Sequence, residues 1–174
     1  MRKKKLVSSV LGSPFPGSSS ERIASLISNS LLSKGWDEYV IDLSTLPSDA
    51  LLMKSQSPVI TNAIEQVTSS DLIIPATPTY RATYTGLMKV FFDHFPHDSL
   101  RNKYVLPVQT GGSAEHSLTI EHGLAPMLRS LGALVLSNGI YAWGDHWLDT
   151  MSPFDVLVKM VDLSLKEVTE LIDE

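Results

Sequence analysis

Leu72-Ile73-Ile74-Pro75-Ala76-Thr77-Pro78-Thr79-Tyr80-Arg81-Ala82-Thr83-Tyr84-Thr85-Gly86-Leu87-Met88-Lys89 decides the fold. An apolar run feeds into a Thr-Pro turn. An aromatic ring and a cation follow, and an amphipathic helix begins at Tyr84. A strand that turns directly into a helix places its polar atoms at the carboxyl edge of a parallel sheet, where open α/β folds bind ligands. Two other strand ends carry comparable loops, Gly12-Ser13-Pro14 and Thr110-Gly111-Gly112-Ser113. Three such loops predict a site for a flat ligand that bears a phosphate.

Outward from this stretch, strand and helix patterns alternate, which argues for βαβ units. Leu6 to Leu11 reads as a first buried strand with a basic lead-in rather than a signal peptide, because its apolar run is short and broken by serine. Ser18-Ser19-Ser20-Glu21 opens a helix that ends at Lys34-Gly35, with Ile23, Leu26, Ile27 and Leu31 on one face. Trp36 to Leu43 alternates as an edge strand, and Ser44 to Pro58 reads as a loop. Val59 to Thr68 is a modest helix. Leu72 to Thr77 and Tyr104 to Thr110 are the third and fourth strands. Pro75 and Pro107 give no ladder donor, so each is expected at a bulge or strand end. The wide apolar face of Tyr84 to Phe95 suggests a core contact and a subunit contact. Glu115 to Leu131 is the fourth helix, Ala133 to Ile140 the fifth strand. Ser152-Pro153 reads as the cap and first residue of a closing helix to Ile172. The expected architecture is one α/β domain over residues 1–174. Its five-stranded parallel sheet, doubly wound in the order 2-1-3-4-5, carries helices on both faces.

Composition narrows the function. The 174 residues are 43% hydrophobic and 19% charged, with a net charge of −5. That balance disfavours a nucleic-acid binder. No run approaches the roughly 20 apolar residues of a membrane span. There is no cysteine, which excludes disulfides and thiolate chemistry and suits a reducing, cytoplasmic setting. His94-x-x-His97 with Asp93 and Asp98 reads as a helix end, not a metal site, and His116 and His122 are poorly spaced for one face.

The loops themselves carry the chemistry. Gly12 to Ser20 offers backbone N–H groups at a helix N-terminus together with hydroxyls, which suits a monophosphate. The Lys of a Walker A loop is absent, as is Gly-x-Gly-x-x-Gly. Thr77 to Arg81 offers backbone donors, a flat ring and a cation, a set that fits a flavin ring. Thr110 to Ser113 lets backbone approach a ligand closely.

These motifs resemble the NAD(P)H-dependent FMN reductases of the flavodoxin-like superfamily, above all the reductase components of two-component alkanesulfonate monooxygenases. The likeness runs ungapped from about Ser70 to Ala133, through Ala76 to Lys89 and Val105 to His116, and fades beyond Tyr141. It implies that Ser13, Ser18, Ser19 and Ser20 form the FMN phosphate loop. Pro78, Thr79, Tyr80 and Arg81 would line the isoalloxazine, and Thr110, Gly111, Gly112 and Ser113 would close its far side. No side chain is needed as an acid or base, because hydride passes directly between nicotinamide and flavin. NADPH or NADH is the implied reductant, a homodimer or homotetramer the implied assembly, and a flavin-dependent monooxygenase the implied partner. Ser19 stands where relatives often have Arg, and Arg81 where Lys is usual. The rival readings are an FMN-bound quinone or azo reductase and a flavodoxin-type electron carrier.

Pro126 also speaks physically. It cannot return an N–H to the carbonyl of His122, which predicts a bulge or kink there. The resemblance places a π-bulge at this position, at a subunit interface, and links it to flavin as a passing substrate.

Overall fold

The computed structural model describes residues 4–147 and 153–172. β1 (Leu6–Leu11) leads to α1 (Ser19–Ser33), and β2 (Asp37–Asp42) follows. A short α2 (Ser48–Leu51) and α3 (Pro58–Ser69) precede β3 (Leu72–Pro78) and α4 (Gly86–Phe92). Then come β4 (Tyr104–Val105), β5 (Val108–Thr110), a π-helix (Ile120–Leu124) and α5 (Ala125–Ser130). β6 (Leu134–Val135), β7 (Ile140–Ala142) and α6 (Asp155–Ile172) complete the described chain.

Every strand pairing is parallel, in the order β2-β1-β3-β4-β6, with β5 between β3 and β7. The seven strands lie on five tracks, because β4 continues into β5 and β6 into β7. That is the 2-1-3-4-5 order of the flavodoxin-like sheet. Alternation along β3 sorts the core. Leu72, Ile74 and Ala76 face α1 and α6, packing with Ile23, Ile27, Val161 and Val168. Ile73 faces the other layer, with Ile60, Met88, Phe91 and Leu128.

The prolines explain the broken fourth track. Ile73 pairs with Val105 and Ala76 with Val108, so the register is unchanged across the gap and Pro75 lies in line with Pro107. Neither can donate, and the ladder opens between them. Pro107 therefore sits at a strand end, as expected. Pro75 does not: it lies inside β3, paired with Val10 of β1.

Other differences from the sequence reading have local causes. The segment read as a loop before Pro58 contains α2, one turn over Pro47. The fourth helix is not one helix. A 3-10 turn at Ala114–His116 leads into the π-helix, and only Ala125–Ser130 is α-helical. Pro126 lies two residues past the end of the π-turn, so the missing N–H is accommodated by wider winding, the bulge that Pro126 predicted. The fifth strand splits at Leu136–Gly139 and runs two residues further, to Ala142. The closing helix starts at Asp155, with Pro153 in a bridge to Trp147; Ser152 lies outside the described residues. The apolar face of α4 is spent on its own core, where Phe91, Phe92 and Phe95 cluster with ring centroids 5.0–5.6 Å apart. His94 does not cap α4 through its ring; Nε2 meets the Leu51 carbonyl at 3.0 Å.

Glu167 ties α6 to the β6–β7 connection. Its carboxylate accepts from Ser137 N–H (2.8 Å), Ser137 Oγ (2.7 Å) and Asn138 N–H (2.8 Å). Partial burial works to raise its pKa, but these donors outweigh burial and hold it below the ordinary value of 4.5. A depressed pKa means the carboxylate stabilises the fold above pH 4.5 and loses that role as pH falls through the native value. Glu167→Ala is expected to cost about 1 kcal/mol, a few degrees of Tm, at neutral pH. Thermal unfolding followed by circular dichroism checks it. The gap to wild type should close in acid, and an equal gap at all pH values would contradict the clamp.

Candidate active site at the carboxyl edge

The three loops do converge. Ser13, Ser18, Ser19, Pro78, Thr79, Tyr80, Thr110, Gly111 and Gly112 line one open cleft of about 520 Å³. Three expected residues are not among those lining it, although Ser113 directly follows the lining residue Gly112. Ser20 is fully buried behind the first turn of α1. Arg81 stands exposed at the tip of a turn, and the Ser113 carbonyl accepts from the Tyr141 hydroxyl at 2.9 Å. A fourth wall was not foreseen: Ala142, Trp143, Gly144 and Trp147, facing Phe15 of the first loop. A larger depression of about 920 Å³, between α2, α3 and His94, contains none of these loops.

The first loop leads into the N-terminus of α1. Ser18 caps the 15-residue α1, its Oγ accepting from Glu21 N–H at 3.3 Å. Glu21 reaches back past the cap to accept from Gly17 N–H at 2.6 Å, one residue short of the reciprocal bond of a capping box. The positive end of the helix dipole points at this loop. The hydroxyls are satisfied internally. Ser18 and Ser20 lie 3.1 Å apart, and Ser13 Oγ donates to the Phe15 carbonyl at 2.8 Å. A phosphate must exchange these bonds for its own. The loop is also less neutral than its sequence suggests. Arg22 Nη2 holds Ser19 Oγ at 2.9 Å, with its guanidinium 4.5 Å above the Trp147 ring. That geometry brings the fourth wall to the first loop by a cation–π contact.

A buried threonine pair fixes the second loop against the first. Thr85 Oγ1 donates to the Gly12 carbonyl at 2.7 Å and accepts Met88 N–H at 3.1 Å, capping α4. Thr77 Oγ1 receives Thr85 N–H at 3.1 Å. A Cβ on Gly12 would sit 2.6 Å from Met88 Cε, so α4 packs directly on the end of β1. The sequence signal was available: Thr85 directly precedes the helical run, as a cap does.

Beyond Pro78 the chain makes a tight turn. Tyr80 and Thr83 exchange backbone bonds of 2.9 and 3.3 Å across Arg81 and Ala82. Both central residues are left-handed, with φ of 52° and 64°. Such turns favour Asn-Gly, so Arg-Ala is strained here, and strain of this kind collects at functional loops. Thr79 N–H bonds the Thr110 carbonyl at 2.6 Å, and Gly111 N–H the Ala142 carbonyl at 2.9 Å. The N–H groups of Gly112 and Ser113 meet no acceptor among the described residues. They are the donors available to a ring edge. A Cβ on Gly111 would fall 2.0 Å from the Tyr141 hydroxyl, so glycine is required. Burial raises the Tyr141 pKa, and a hydrogen bond from Thr79 opposes the shift.

Chemically, this is a shallow slot with a flat glycine floor, aromatic walls and an anion cradle at one end. FMN fits that donor set.

Comparison with known proteins gives the same answer. An FMN reductase (NADPH) of Escherichia coli strain K12 is 36% identical over 103 residues, 59% of this chain. The match spans 54% of that protein's own length. An FMN reductase (NADPH) of Pseudomonas putida strain KT2440 is 33% identical over 138 residues, covering 79% of this chain and 70% of the relative. The solved apo form of the NADH:FMN oxidoreductase EMOB superposes with a TM-score of 0.89 at 26% identity, over 98% of this chain and 92% of that one. The family model described as NADPH-dependent FMN reductase matches residues 6–148, from β1 through the fourth wall of the cleft, and the chain belongs to that family.

Proposed function

We propose that the protein catalyses NAD(P)H-dependent reduction of FMN, taking flavin as a substrate and releasing it reduced to a partner monooxygenase. One observation carries the reading: a helix-headed anion cradle and a glycine-floored slot share one open cleft. Flavin held in the cleft would supply the redox chemistry, as the hydride acceptor for the nicotinamide. The protein's part is orientation. Ser18 and the first turn of α1 hold the phosphate, and Gly112 and Ser113 N–H groups read the ring's polar edge. Tyr80 and Trp143 cover its apolar surface. No described side chain has to move a proton.

Loose binding follows from the cradle. Its hydroxyls already have partners, and the Glu21 carboxylate stands beside the phosphate position. Micromolar affinity, near −8 kcal/mol, is expected. The dialysed protein should be colourless, and FMN titration should quench the fluorescence of Trp143 and Trp147 with a micromolar midpoint. Stoichiometric yellow flavin surviving dialysis would favour the quinone or azo reductase reading instead.

The assembly we propose is a homodimer or a dimer of dimers built on the π-helix. Thr83, His122 and Gly123 line two open depressions flanking it, and Leu118 beside it is 61% exposed. Light scattering should give a multiple of the 19.1 kDa chain; a monomer at micromolar concentration would contradict it. Among the described residues no helix is long and apolar enough to cross a membrane. We place the reaction in the cytoplasm, where a cysteine-free chain and a reduced nicotinamide pool are at home.

A further inference from the structure

Arg22 closes the first turn of α1, half-buried, with its guanidinium held between two residues that line the cleft. On one side Nη2 donates to Ser19 Oγ at 2.9 Å. On the other, the guanidinium carbon stands 4.5 Å from the centre of the Trp147 ring. Ser19 and Trp147 form part of the wall, and Arg22 stands behind them.

Stacking and hydrogen bonding use different parts of the group. A cation–π contact engages the face of the guanidinium, whereas its N–H donors lie in the plane. Trp147 therefore aims the donor edge and does not use it. Ser19 Oγ accepts from Arg22, and its own proton meets no acceptor among the described residues. A hydroxyl that accepts from a cation is polarised into a stronger donor. Charge points the same way. Glu21, the neighbouring residue, puts a carboxylate on this loop. The serine hydroxyls and backbone N–H groups are neutral, so an anion at the head of α1 would have only the partial charge of the helix end to offset that carboxylate. Arg22 places a full positive charge one hydrogen bond behind the lining. A flavin ring and its ribityl chain are uncharged and need no such cation; a phosphate does.

We propose that Arg22 makes the cleft specific for phosphorylated flavin. Ser19 and Arg22 act as one charge-assisted donor unit for the FMN phosphate, with Trp147 keeping the guanidinium aimed. FMN is therefore bound in preference to riboflavin, which has the same ring and no phosphate. The proposal rests on the flavin reading above and adds which flavin the cleft accepts.

The test measures the affinity of the full chain for FMN and for riboflavin by flavin fluorescence, in wild type and in Arg22→Met. Methionine keeps an apolar stem against Trp147 and removes the charge. Wild type should prefer FMN by about tenfold or more. Arg22→Met should lose about that factor in FMN affinity and keep its riboflavin affinity, so the preference collapses. An arginine that only clamps α1 to the fourth wall would weaken both flavins alike. An unchanged ratio of the two affinities therefore overturns the proposal and leaves the flavin reading standing, as does a wild-type protein that binds the two flavins equally. If Arg22→Met does not fold, Arg22→Gln decides by the same ratio. A wild-type protein that binds neither flavin removes both the proposal and the reading beneath it.

Discussion

Ser18→Asp is expected to weaken FMN binding by about 100-fold while leaving the fold intact. Aspartate is as good a helix cap as serine, so Glu21 N–H keeps an acceptor and α1 keeps its first turn. What changes is charge. The serine hydroxyl can turn and donate to a phosphate, whereas a carboxylate can only accept. Losing a charge-assisted donor costs about 1.5–3 kcal/mol, and like charges about 4 Å apart near a protein surface add up to about 4 kcal/mol of repulsion before solvent screening. Glu21 already lies on the same loop, so a second carboxylate compounds an existing repulsion. Ser18→Asn separates the causes, since it retains the cap without the charge and should lose far less. Ser18 is the cleaner probe than Ser20, whose complete burial would mix a folding defect into the result. Titration of FMN against both variants, with Tm measured alongside, checks this. Equal affinity in Ser18→Asp and wild type would mean that the phosphate lies elsewhere.

Gly111→Ala should damage the other end of the slot. The new methyl would overlap the Tyr141 hydroxyl at 2.0 Å and its ring carbon Cζ at 2.9 Å. An aromatic ring that is 6% exposed cannot swing away cheaply. Either Tyr141 leaves the Ser113 carbonyl or the loop lifts. Overpacking of this kind costs about 1–3 kcal/mol of stability, and the displaced loop should cost at least tenfold in FMN affinity. The cause can be isolated. In a Tyr141→Leu background the obstructing atoms are gone, so the further effect of Gly111→Ala on Tm should nearly vanish, a coupling that a double-mutant cycle reads directly. Additive losses would show that the close approach is not what requires glycine.

The sequence was most legible where one element obeys one rule. The continuous apolar run Leu72 to Ala76 followed by Thr-Pro located β3 and the ligand edge. The alternation of strand and helix patterns gave the sheet order, because parallel neighbours need helical crossovers. Pro126 announced the π-turn through a missing donor. Legibility failed where tertiary context overrides local preference. Arg81-Ala82 forms a left-handed turn that its residue types argue against, so nothing local put Arg81 at the tip. Ser20 carries the same side chain as Ser18, but helix geometry turns it inward. Trp143 and Trp147 were missed because the fifth strand was ended at Ile140. Two more residues of pairing, Tyr141 with Gln109 and Ala142 with Thr110, carry the chain to the cleft and set Trp143 on its edge. Ser48–Leu51 was hidden between prolines that read as a loop.

The central claim is that flavin passes through this cleft as a substrate. The direct measurement is the rate of NADPH and NADH oxidation by the dialysed protein as FMN is added from zero to well above its binding midpoint. The account predicts almost no oxidation without FMN, then a hyperbolic rise saturating in the micromolar range, with Ser18→Asp shifting the curve to much higher FMN. A full rate with quinone or azo dye at zero added FMN, unchanged by further flavin, would contradict it.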